Sequence, residues 1–343
     1  EALMNFKEER TPGGYEKLGN KTQVIGILKG EELVEELADE GYVFLKENPF
    51  YAESGGQIYD TGYLKNDDCK VEVLDVLKAP NKQHLLHVRV LSGVLKNNTE
   101  ILTHVIQERR EAIEKNHSSV HLLQKTLQDI LGENVHQAGS RVDDKSFRFD
   151  FTYHGRLSDE VIMRVEEKVN ERVLAGIDTK IEYLTLDEAK KKGAMALFSD
   201  KYKDVVRVVQ IGSSLELCGG THIKSTDEIE RFAILKVESK GSNLYRLEGC
   251  TNDMVPTLIS EAVAKYVDEI KNLLEKAHNI LAKAKEEGYV QIHDIFMETS
   301  KNEREHAKIW FKLLHDEEIP DTIANLNAAA DGENEEWTSM YKE

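Results

Sequence analysis

Two short stretches hold residue types whose spacing could do chemistry. In HSSVH, His117 and His121 stand at i and i+4, so on a helix they project from one face, close enough to share a metal ion. In CGGTH, Cys218 and His222 have the same separation. Together they offer N, N, S and N donors, a set that suits Zn²⁺. Either pair alone is weak, because a free Cys commonly packs as a small hydrophobe and most spaced histidines are surface or core residues. The expected role of Gly219 and Gly220 is a tight backbone turn that lets Cys218 and His222 face one ion. Four protein ligands close a tetrahedron, the mark of a structural zinc, whereas a hydrolytic zinc keeps one position open. The sequence leaves that choice open.

A third stretch is FYAESGGQIYDTG, Phe50 to Gly62. Ser54, Gly55 and Gly56 would bring backbone N–H groups within reach of a ligand, and Gln57 adds a neutral donor and acceptor. On pattern alone it is better read as a hairpin turn with a polar tip.

The elements around these stretches follow from periodicity. TQVIGIL, YVFLKE, CKVEVLDVL and HLLHVRVL alternate with period two and are rich in β-branched residues, so they read as strands. Residues 1–96 are expected to form a β-rich, barrel-like subdomain, with helix dominating from about Thr99. HLLQKTLQDIL and LSDEVIMRVEEKVNERV have helical spacing, the second with Ser158 or Asp159 as cap and Val161, Val165, Val169 and Val173 on one face. RFDFTYH, IEYL, DVVRVVQI and FAILKVES return to strand. Residues 97–255 therefore read as an α+β core, with HSSVH on a helix facing CGGTH. Pro256 marks the next boundary. A heptad helix over 256–281 carries Val263, Val267, Ile270, Leu274, Ala277 and Leu281 at 3–4 spacing. Further helices are expected from about Tyr289 to His315 and from Asp321, so the fold class is α+β followed by an α-helical tail.

The net charge of -18 disfavours bulk attraction to nucleic acid. Half of that charge lies beyond Pro256, so RNA binding before it would need a local basic patch. Three cysteines, Cys69, Cys218 and Cys250, argue against a disulfide framework and for a reducing, cytoplasmic setting. There is no run of 18 apolar residues, so no membrane partner is expected. The first residues, EALMNFKEER, lack the apolar core of a signal peptide and lack an initiator Met, which suggests a processed chain or a fragment.

The succession FYAESGGQIYDTG, HSSVHLLQKTLQDILG, GSRVDDKSFRFDF and CGGTH resembles the editing domain of alanyl-tRNA synthetase across about residues 15–250. Free-standing alanyl-tRNA editing proteins are similar. The resemblance implies hydrolysis of the ester in Ser-tRNA(Ala) or Gly-tRNA(Ala), with the tRNA(Ala) acceptor end as partner. It implies zinc as cofactor, held by His117, His121, Cys218 and His222. It also implies catalytic roles for Gln57 and Arg148, and substrate contacts from Ser54, Gly55, Gly56 and Thr221. Gln57 is the expected reader of the serine hydroxyl. A non-catalytic, zinc-stabilised tRNA-binding module is the alternative.

From about residue 282 the chain is similar to rubrerythrin, a ferritin-like di-iron protein. The resemblance implies a half-site of Glu303, His306, Glu333 and Glu336. A Glu from a first helix and a second Glu-x-x-His are missing, and three cysteines cannot build the Cys₄ iron site of many relatives. Iron is therefore not expected, and a rubrerythrin-like di-iron oxidoreductase is the weaker reading. A homodimer through the tail is a further expectation.

Overall fold

The structure is a computed structural model that describes Glu8, residues 15–79, 83–195 and 205–290, and positions 294–295, 298–299 and 301–302. The strands before the first helix are β1 (Lys21–Lys29), β2 (Glu32–Leu33), β3 (Glu36–Leu37), β4 (Glu40–Leu45), β5 (Gly62–Lys65), β6 (Cys69–Lys78), β7 (His84–Gly93), β8 (Leu95–Lys96) and β9 (Glu100–Val105). There follow α1 (Gln107–Leu131), β10 (His136–Val142), β11 (Phe147–Thr152), α2 (Asp159–Leu174), β12 (Thr179–Thr185) and α3 (Leu186–Lys191). The remainder is β13 (Val205–Ile211), β14 (Ser214–Leu217), β15 (Phe232–Ser239), β16 (Leu244–Thr251) and α4 (Met254–Glu286). The architecture is mixed α/β, as the alternating and helical patterns require.

Six strands in the order β1-β4-β7-β6-β5-β9 form a barrel-like sheet, because β9 pairs back onto β1. Alternate residues point inward, and Val24, Val43, Leu64, Val71, Val88 and Ile101 fill the interior. The helix expected from about Thr99 is corrected here. Residues 100–105 are the closing strand, with Ile101, Thr103 and Val105 buried, and helix begins only at Gln107.

The second layer is the antiparallel sheet β10-β11-β16-β15 with α1 and α2 packed on it, beside the three strands β12-β13-β14. Phe147, Phe149 and Phe151 of β11 share one core with Leu123 and Leu127 of α1 and Val165, Val169 and Val173 of α2. Ser158 caps α2, its hydroxyl accepting the Val161 N–H. A buried ion pair sits where β9 passes into α1. Arg110 donates to both carboxylate oxygens of Asp60 and to the carbonyls of Tyr15 and Pro49. Both side chains of the pair are 1% exposed.

The chain divides into two compact units, Glu1–Glu261 and Ala262–Glu343. Separable pieces at 1–96, 97–255, 256–281 and 282–343 remain a proposal. Pro256, the expected boundary, stands near the start of a helix. It lies in the first turn of α4, where a missing N–H costs nothing. The helix runs to Glu286, and Gly288 follows at φ +90°. Of its heptad positions, Val263, Val267, Ile270 and Leu274 are exposed. Glu303, His306, Glu333 and Glu336, and the helix expected from Asp321, lie outside the described residues.

Candidate metal centre and the pocket around it

Nine consecutive residues of α1, 116–124, are buried, so this stretch of helix is surrounded on every side. The polar residues among them must then find partners inside the protein. Ser119 Oγ donates to the Asn116 carbonyl, and Asn116 bonds the Asp143 carbonyl and the Thr251 hydroxyl. His117 and His121 face a different set. Their donor atoms, Cys218 Sγ and a His222 nitrogen all lie within 4.8 Å of one another.

The two distances from the sulfur are those of a tetrahedral site. Cys218 Sγ is 3.5 Å from His117 Nε2 and 3.3 Å from His222 Nε2. A tetrahedron with Zn–N and Zn–S bonds of ordinary length has edges of about 3.3–3.8 Å. The other ring nitrogen of each histidine has its own neighbour. His117 Nδ1–H donates to Gln57 Oε1 at 2.6 Å. His222 Nδ1 pairs with Ser118 Oγ at 3.1 Å, and that hydroxyl also accepts the Ile223 N–H. His121 Nδ1 lies 3.3 Å from Glu216 Oε2, at ion-pair distance but without hydrogen-bond geometry. Outer partners of this kind fix ring orientation and tautomer, leaving the opposite nitrogen for a metal.

Charge in the pocket follows the same arrangement. Burial would raise the Cys218 thiol pKa, but the neighbouring His117 and His222 rings and the hydrogen bonds to its sulfur hold it well below the usual value. Burial, with the His117 ring beside it, holds His222 down to about 3. Burial opposes protonation of His121, yet Glu216 and the Cys218 sulfur push it up to about 10. The pocket thus favours an ionised sulfur and a neutral His222, the states in which both could ligate a cation.

Gln57 is 1% exposed and its amide is heavily engaged. Oε1 accepts the Thr221 N–H at 2.9 Å as well as the His117 proton, and Nε2 donates to Thr221 Oγ1 at 2.9 Å. The segment before it is the hairpin turn expected from pattern alone. Ser54 and Gln57 exchange backbone hydrogen bonds, with Gly55 and Gly56 at φ +60° and +87°. Beyond the turn, Ile58 N–H donates to the Val142 carbonyl and Val142 N–H to the Gly56 carbonyl, joining this segment to the edge of β10. Lys78 Nζ donates to Ser54 Oγ at 2.5 Å.

The glycines of CGGTH act differently from the expectation. Neither has a positive φ. A Cβ on Gly220 would run into the His117 ring and come within 2.6 Å of Gln57 Oε1, whereas one on Gly219 would meet nothing. Gly220 is therefore required for room, not for turning. Arg207 holds the loop by donating to the Cys218 and Gly220 carbonyls.

Six of the expected site residues come together: His117, His121, Cys218, His222, Gln57 and Thr221. Ser54, Gly55 and Gly56 form the adjoining turn. Arg148 does not join them. It alternates with buried Phe147 and Phe149, so it lies on the sheet face away from that core, between Arg141 and Glu248 and 3.6 Å from Asp150. Sequence reading missed Ser118 and Glu216. Period-two spacing held the signal for Glu216, since Ser214, Glu216 and Cys218 fall on one side of the strand, and Ser214 Oγ donates to Glu216 Oε1.

Comparison with known proteins agrees with the motifs. The family described as tRNA synthetases class II (A) matches residues 1–109. The threonyl and alanyl tRNA synthetase second additional domain matches residues 206–248, which include CGGTH. Rubrerythrin matches residues 274–343, beginning within α4, earlier than the boundary near 282. An alanine–tRNA ligase of Listeria monocytogenes is 37% identical over 316 residues, covering 91% of this chain and 35% of that protein. The corresponding ligase of Geobacillus kaustophilus is 38% identical over the same extent. That of Bacillus cytotoxicus is 41% identical over 284 residues, 80% of this chain and 32% of its own length. The chain spans about a third of the length of the curated relatives it matches. It is thus similar to the alanine–tRNA ligases over 91% of its length, with the threonyl and alanyl second additional domain at 206–248 and a rubrerythrin-like segment at 274–343.

Proposed function

We propose that this chain hydrolyses the aminoacyl ester of Ser-tRNA(Ala) or Gly-tRNA(Ala), with zinc held by His117, His121, Cys218 and His222. The observation that carries this reading is the His₃Cys donor set, its three histidines buried and each beside Gln57, Ser118 or Glu216. Zinc bound there would supply a Lewis acid. The residues do the rest. Gln57 holds the His117 ring and the CGGTH backbone in register. The N–H groups of Gly55 and Gly56 make no backbone hydrogen bond within the described residues, so they are the donors available to a developing oxyanion. Burial around Gln57 and Thr221 limits access by bulk water.

A synthetic site sized for alanine rejects a hydroxyl-bearing analogue only about 10²-fold, so a second, hydrolytic selection has value. Because Gln57 already spends both ends of its amide on Thr221 and His117, its role as reader of the serine hydroxyl gives way to one as orienter. Arg148 is assigned no step. A homodimer stays within the proposal, supported by the exposed stripe of Val263, Ile270 and Leu274 on α4. The test is single-turnover release of amino acid from Ser-, Gly- and Ala-tRNA(Ala). Release of serine and glycine with alanine retained is expected. Equal hydrolysis of all three would overturn selective editing.

A further inference from the structure

Outward-facing residues of four barrel strands form one row. Lys21 of β1 stands opposite Leu102 of β9, Leu102 opposite Lys65 of β5, and Lys65 opposite Lys70 of β6. In the neighbouring row Tyr63 is paired with His104. Their chain neighbours Leu64, Val71, Ile101 and Thr103 are buried, which fixes the outward direction of the row. These side chains line a surface groove of about 570 Å³.

The charges here do not balance. Lys65 and Lys70 are directly opposite like charges, a destabilising arrangement across a strand pair. Neither makes an ion pair among the described residues, although Asp67 and Asp68 lie in the turn between their strands. The Lys70 ammonium sits 5.1 Å above the Tyr63 ring. Lys21 does pair with Glu100 at 2.8 Å, but both side chains are more than half exposed, so that pair is weak and readily exchanged. Leu102, in the middle of the row, is 55% exposed. Lysines interleaved with an aromatic ring and an apolar floor, in a chain of net charge -18, fit a strand with an anionic backbone and flat bases.

We infer that this groove binds the phosphate backbone of the RNA whose aminoacylated end enters the Gln57 pocket. The inference rests on the proposed deacylase reading for the identity of that RNA. Tyr63 follows Gln57 by six residues, so the groove lies within about 20 Å of the pocket even along a fully extended chain. An acidic peptide would satisfy the lysines but leave the Tyr63 and Leu102 surface without a stacking partner.

The experiment is fluorescence anisotropy of labelled tRNA(Ala) with the full chain, across a salt series. The Lys65→Gln/Lys70→Gln variant is compared with wild type and with Lys190→Gln/Lys191→Gln on α3 as control. Circular dichroism and zinc content verify the fold of each. The groove variant is expected to bind about tenfold more weakly, with the slope of log K against log salt reduced by about 1.5–2. The control is expected to match wild type. Unchanged affinity and slope in the groove variant would overturn the inference, as would equally tight, equally groove-dependent binding of polyglutamate. Serine release with a KM insensitive to the two lysines would remove the groove alone. Groove-dependent tRNA binding without serine release would remove the deacylase reading alone.

Discussion

Gln57 Oε1 accepts the His117 Nδ1 proton at 2.6 Å, and that contact ties the turn leading out of the barrel-like sheet to the helix of the second layer. Gln57→Ala is expected to free the His117 ring and expose Thr221 N–H and Oγ1 to loss of their partner. Zinc affinity should fall about 10–100-fold, as for other outer-partner substitutions. Serine, glycine and alanine esters should be slowed alike. A variant that keeps wild-type zinc affinity but changes only the preference for serine would make Gln57 the reader after all. Competition with a chromophoric chelator and single-turnover rates separate these outcomes.

Gly220→Ala places a methyl group against the His117 ring. Overpacking of this kind costs about 1–3 kcal/mol. In a unit of this size it should lower Tm by roughly 2–4 °C per kcal/mol. Gly219→Ala, whose Cβ meets nothing within 4 Å, should leave both melting temperature and zinc content near wild type. Equal effects of the two substitutions would contradict the spatial role assigned to Gly220.

Asp60→Asn leaves Arg110 charged at 1% exposure with its main acceptor neutralised. Removing one partner of a buried pair costs about 3–5 kcal/mol, because the other charge is left uncompensated. Urea denaturation should show that loss. A change below 1 kcal/mol would mean that the Tyr15 and Pro49 carbonyls suffice to hold the guanidinium.

Glu114 lies one turn along α1 from Arg110. Burial, opposed by Arg110 and assisted by Asp60, pushes its pKa up to about 8 from the ordinary carboxyl value of 4.5. The folded carboxyl therefore keeps its proton over a range in which the unfolded one has lost it. Its contribution to stability is fully present below about pH 4.5 and is lost as pH rises through about 8. Glu114→Gln should flatten the fall in stability across that interval. Denaturation midpoints at pH 5, 6, 7 and 8 check it, and an unaltered pH profile would contradict it.

Much of this layout was legible in the sequence, for physical reasons that differ from place to place. Alternation announced β1, β4, β6 and β7 because one face of each strand fills the barrel interior. β9 was missed because its inward set is Ile101, Thr103 and Val105, and the buried threonine blunts the alternation. The donor set of HSSVH and CGGTH could be named from ligand chemistry. The partners that orient it could not, since Gln57 lies 60 residues from His117 and 164 from Thr221. Arg148 shows the opposite failure: its motif was recognised, but motif membership does not state which sheet face a residue occupies. The buried phenylalanines on either side of it do.

The most direct measurement is serine release from Ser-tRNA(Ala) by the purified chain, with zinc and iron counted in the same sample, before chelation, after it, and after zinc is restored. Zinc-dependent deacylation predicts about one zinc and no iron per chain. It also predicts hydrolysis that disappears with the metal and returns with zinc. Hydrolysis that continues at full rate in zinc-free chain, or no hydrolysis by the zinc-loaded chain, would contradict it.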